Sequence, residues 1–162
     1  MAKQKVKIKS EHFQKAMAKF QTLSKPQMAA LLDTLLGDQP KIGGQLASLI
    51  VQEKIPARNV EGAFEMVLTI MQALQYSGYK LPFLTHEMFE KEQSNVLSLY
   101  RLLTDCETDV LEAAIKSYKE KYMFAYLLGE VNKRGILKHH KGELILLALH
   151  SLCALIEKKM YR

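Results

Sequence analysis

A carboxylate on the apolar face of a helix is the first candidate for chemistry in this chain. At roughly 100° per residue, Met88, Phe89, Val96, Leu99, Tyr100 and Leu103 share one face of an expected helix, and Glu92 falls inside that arc. Glu87, Glu90, Lys91, Ser94 and Arg101 lie on the other side. A buried carboxylate must find a partner or take up a proton. Glu92 is therefore a buried-acid candidate: a ligand-binding acid, half of a metal site, or a structural acid bonded to an Arg, a Tyr hydroxyl or a helix N-terminus. The structural role is the preferred expectation, because ion pairs that only hold a fold together also place acids this way.

The second candidate is the basic stretch 133–141. Lys133 and Arg134 end one expected helix, and Lys138, His139, His140 and Lys141 precede the next. Cations at a helix C-terminus favour the helix dipole, which accounts for Lys133 and Arg134 without a ligand. The group from Lys138 to Lys141 has no such explanation. It is either solvated surface or a site for an anion or an acidic partner.

Other chemistry is weakly marked. His86 and Glu90 stand four residues apart, as do His139 and Glu143, but two ligands do not make a metal site and none is expected. Cys106 and Cys153 show no metal or redox spacing and read as small packing residues. No phosphate-binding loop, dinucleotide glycine pattern, metalloprotease helix or nucleophile elbow occurs, so neither catalytic residues nor a cofactor are expected. Tyr76, Tyr79, Tyr118, Tyr122 and Tyr126 form a loose aromatic set with Lys neighbours, more in keeping with core edges than with base stacking.

These candidates need helices to position them. With 162 residues, 48% hydrophobic, the chain can bury a core of its own, and eight Gly and four Pro are too few for an all-β fold. Seven or eight helices are expected. Ser10 is read as the cap of the first, which buries Phe13, Met17 and Phe20. Ser24 caps a second, closed by Gly37, with Met28, Leu31, Leu32, Leu35 and Leu36 as a buried stripe. A third follows Pro40, with Gly43 and Gly44 allowing close approach of a neighbour. A long helix capped by Asn59 ends before Gly78, and the connection 78–84 packs across the surface. Thr85 opens the helix of Glu92. Val110, Leu111, Ala114, Ile115 and Tyr118 mark a further helix, and another stops at Gly135.

The last helix is the most apolar: from Leu144 to Ile156 only His150 and Ser151 are polar. It is too short for a bilayer, which takes roughly 20 apolar residues, so no membrane span is expected. A helix apolar almost all round belongs at the centre of a bundle. Glu143, His150 and Glu157 recur every seven residues as a narrow polar seam, which places His150 at the solvent edge or beside a neighbour's polar stripe.

The expected fold is therefore all-α: a compact multi-helix bundle with a central C-terminal helix, the alternative being HEAT-like stacked hairpins. Residues 1–10 read as a flexible basic arm carrying Lys3, Lys5, Lys7 and Lys9. Residues 11–162 read as one domain, with weak halves 11–81 and 85–162. The net charge of +6 falls to about +2 without the arm's lysines, so the body is not a general nucleic-acid binder. The N-terminus has no apolar signal region, and a cytoplasmic location is the default. The functional expectation is a non-enzymatic interaction module: a small adaptor or regulator with an acidic protein or phosphate-bearing partner, open to homo-oligomerisation. The alternative is a nucleic-acid-associated protein using the arm and residues 133–141 on phosphates.

Overall fold

The capping chemistry written into the sequence is visible at most helix ends. A computed structural model describes residues 7–104 and 117–161, with backbone alone for 102–104. Among these residues there are seven α-helices: α1 Ser10–Gln21, α2 Lys25–Asp38, α3 Pro40–Val51, α4 Ala57–Ser77, α5 His86–Thr104, α6 Lys121–Lys133 and α7 Gly142–Met160, with a 3-10 turn Ile136–Lys138 before α7. The helix expected around Val110 to Ile115, Cys106, and the first six residues of the arm lie outside the described residues.

Ser24 and Gln27 form a reciprocal cap at α2: the Gln27 N–H donates to Oγ of Ser24, and the Ser24 N–H donates to the Gln27 side chain. Thr85 caps α5 by accepting the Met88 N–H at 3.3 Å. Gly78 and Gly135 end α4 and α6 in the left-handed region, at φ 82° and 62°. Other ends differ from expectation. Ser10 is the first helical residue, and the cap is Lys9, whose N–H donates to Nδ1 of His12. Gly37 does not stop α2. The helix runs on to Asp38 and ends because Pro40 bars its predecessor, Gln39, from helical geometry (φ −131°, ψ 69°). The long helix starts at Ala57, directly after Pro56, and not at Asn59.

The helices form a bundle around two members. α4 packs on α1, α2, α3, α6 and α7; α7 packs on α3, α4, α5, α6 and the 3-10 turn. Helices distant in sequence therefore meet, whereas stacked repeats touch only their neighbours. Every residue of α7 from Ala148 to Ile156 is buried, which is what an all-round apolar surface requires. No helix among the described residues is long and apolar enough to cross a membrane.

Two details revise the expected layout. α2 has no fully buried residue, and Met28, Leu31, Leu32, Leu35 and Leu36 are only half-buried, because the helix packs on α3 and α4 at the edge of the bundle. Residues 7–9, expected in the mobile arm, lie against the body: Ile8 is wholly buried, and Lys7 Nζ donates to the Met160 carbonyl at 2.7 Å. The connection 78–84 is pinned as expected. The Gln39 amide donates to the Pro82 carbonyl at 3.0 Å and accepts the Leu84 N–H at 3.1 Å.

Candidate functional site

The basic stretch divides into residues the fold uses and residues it leaves free. Arg134 is used: Nη1 lies 2.6 Å from Glu65, and Nε lies 2.8 Å from Glu130 one turn back on α6. Lys141 is used too. Its Nζ donates to the Glu53 carbonyl at 2.9 Å and sits 3.5 Å from the Glu53 carboxylate. The buried Ile136 anchors the 3-10 turn between them. Lys133, Lys138, His139 and His140 are exposed and make no ion pair with any described residue. Leu137, in their midst, is 57% exposed. The result is a short, anchored turn presenting one apolar side chain among basic ones.

Glu92 is buried, 5% exposed, and its carboxylate lies 2.6 Å from the Lys158 ammonium on α7. The partner is a Lys, which was not among those the sequence put forward. The arrangement is that of an acid held by an ion pair. Glu92 and the basic turn do not share a cleft: Lys158 and Gly142 are separated by about 24 Å of α7. His86 and Glu90 do meet, at 2.9 Å, as an exposed pair. Among the described residues no group of three or more His, Cys, Asp or Glu is placed to hold a metal ion.

The largest buried polar cluster surrounds a residue that the sequence placed less deeply. His150 is 4% exposed, not at a solvent edge, because α7 has neighbours on every side. The Tyr100 hydroxyl lies 2.7 Å from Nδ1 and the Tyr118 hydroxyl 2.9 Å from Nε2. Phe124 stacks on Tyr118 at 3.9 Å and meets the imidazole edge-on. A neutral imidazole offers one donor and one acceptor, so one tyrosine donates to it and the other accepts. Burial lowers the His150 pKa to about 4. Burial, then the carboxylates of Glu92 and Glu157, push Tyr118 up to about 12. Burial likewise drives the free Cys153 thiol far above its usual range. A general acid or base works best with a pKa near the operating pH, and a reactive thiol needs a lowered one. These groups are tuned the other way, as in a structural network.

Glu120 escaped the sequence altogether. It is fully buried, and its carboxylate accepts the N–H of Lys7 (3.0 Å), the N–H of Ile8 (3.1 Å) and the Tyr161 hydroxyl (2.6 Å). Its own N–H donates to Glu157 at 2.6 Å. Between Lys119 and Lys121 it reads as one more surface charge, and only the fold reveals it.

Several of the tyrosines are spent on internal partners. Tyr126 stacks on Phe13 at 5.1 Å, Tyr118 on Phe124, and Lys15 lies over Tyr76 at 4.4 Å.

Fold and surface together define an all-helical bundle with internal polar locks and one exposed basic turn. Comparison with family models, curated proteins and solved structures finds no match.

Proposed function

We propose that this chain is a non-enzymatic helical interaction module, a small cytoplasmic adaptor or regulator that engages an acidic or phosphate-bearing partner through residues 133–141. The observation that carries the reading is the division of labour in that stretch. Arg134 and Lys141 are spent on the fold, while Lys133, Lys138, His139 and His140 stand exposed around Leu137. An anchored cationic turn with an apolar tip binds at low ordering cost, since its backbone is already set. The free thiol of Cys153 suits a reducing compartment.

The nucleic-acid reading draws less support. It joins the N-terminal arm and the basic turn on one phosphate track, yet Lys7 is tied to Met160, about 27 Å of helix from Gly142.

The test is a fluorescence-anisotropy titration at low and moderate salt with three labelled probes: a polyglutamate peptide, a phosphoserine peptide and a short DNA duplex. Binding of either peptide is expected, weakened at least tenfold by combining Lys133→Glu with Lys138→Glu. No peptide binding at low salt ends the reading, and duplex binding that depends on residues 1–6 replaces it with the nucleic-acid one.

A further inference from the structure

The basic turn opens onto a groove. Between α3, α5 and the first turns of α7 lies a depression of about 450 Å³. Its apolar lining is Leu49, Leu144 and Ala148 with the half-buried Leu147, and its polar lining is chiefly amide side chains. Glu53, which Lys141 holds from the basic turn, lines one end. Lys41 lines it from the N-terminal turn of α3 and makes no ion pair with any described residue.

We propose that this groove is the docking site for an acidic peptide segment bearing apolar anchor residues, whose flanking carboxylates reach the basic turn and Lys41. The proposal rests on the interaction-module reading and names the partner's chemistry. Three observations support it. A volume of this size holds two or three aliphatic side chains, within the range of ordinary ligand pockets. The Gln93 amide donates to the Gln45 carbonyl at 2.8 Å, leaving Gln45 with free N–H groups and Gln93 with a free carbonyl. One donor beside one acceptor is the complement of a peptide unit. The charges also agree: Glu53 and Glu90 are already partnered by Lys141 and His86, so the groove and the turn leave cations, and not carboxylates, available. Gly44 faces this space, and a side chain added there meets nothing within 4 Å.

Gly44 also supplies the test. Gly44→Leu projects an isobutyl group into the groove and favours the helix, so it blocks the site without endangering the fold. The probes are a labelled Glu-rich peptide with two leucines spaced one helical turn apart, and the same peptide with serines in their place. The leucine peptide is expected to bind at least tenfold more tightly, to shift the methyl resonances of Leu144, Leu147 and Ala148, and to fall to the serine peptide's affinity on Gly44→Leu. If both peptides bind alike, or the leucine peptide ignores Gly44→Leu, the groove proposal fails and the basic-turn reading stands. If neither binds at low salt, both fail.

Discussion

The backbone N–H of Ile8 donates to the Glu120 carboxylate at 3.1 Å, and this bond fastens the N-terminal segment to the far end of the bundle. The same carboxylate takes the Lys7 N–H and the Tyr161 hydroxyl. Burial and the bond to Glu120 hold that hydroxyl well above its usual pKa, so it stays a donor at neutral pH. Glu120→Ala leaves three donors without their acceptor and is expected to cost about 3 kcal/mol, since each orphaned buried group loses about 1 kcal/mol or more. Urea unfolding measures the loss. Amide exchange at Ile8 should accelerate more than exchange in α4; equal acceleration in both would mean the bond is not local to the segment.

His150 makes stability depend on acid. Its folded pKa, about 4, lies below the ordinary value of 6.5, so the unfolded chain binds the proton more readily. Stability from this residue is fully present above pH 6.5 and is lost as pH falls from there to about 4. A shift of this size corresponds to roughly 3 kcal/mol. Glu157 works in the opposite sense: burial raises its pKa, so its contribution falls as pH rises through the folded value. The two separate in His150→Gln, which should flatten the stability profile between pH 4 and 6.5. An imidazole titration near 6.5 by NMR in the folded protein would contradict the burial argument.

The helices were legible because 3.6-residue periodicity is a local signal, and Glu92 was legible for the same reason: a carboxylate among Phe89, Val96 and Tyr100 breaks the pattern. His150 was misplaced by a rule that fails inside a bundle. A polar seam normally faces water, but α7 is enclosed, and the seam faces Tyr100 and Tyr118 instead. Glu120 lay beyond reach. Its partners are backbone N–H groups more than a hundred residues away, in a segment whose single isoleucine carries no periodicity. The groove was equally hidden, since its walls come from three helices and no one stretch encodes it.

Glu92 and Lys158 should respond asymmetrically. Lys158→Met strands a carboxylate that is 7% exposed, and is expected to cost about 2 kcal/mol, less than for a wholly buried pair because the lysine is 44% exposed. Glu92→Met leaves a solvated ammonium behind and fills an apolar setting, so it should cost less than about 1 kcal/mol. Paired urea unfolding of both variants checks the order. Equal losses would mean that the pair's attraction, and not the stranded acid, sets the effect.

Gly142 is the tightest point of the basic turn. A Cβ there would collide with the Ile136 carbonyl oxygen and lie 3.0 Å from Leu137 Cα, both backbone atoms that cannot rotate away. Lys141 before it already sits in the left-handed region at φ 56°. Gly142→Ala must therefore push the 3-10 turn off the start of α7, with Ile136 leaving its buried seat. The expected loss is about 3 kcal/mol, a size reserved for strain and broken packing. Gly129, inside α6, is the contrast: nothing lies within 4 Å of its Cβ position, so Gly129→Ala should stabilise the protein by about 0.5–1 kcal/mol through helix propensity. Thermal unfolding of the two variants should move in opposite directions. Because Gly142 holds the turn that carries Lys138 and His140, the alanine variant should also weaken binding of the acidic probes, while Gly129→Ala leaves it unchanged. Undiminished probe binding by a folded Gly142→Ala protein would show that the turn's anchored shape does not matter to recognition.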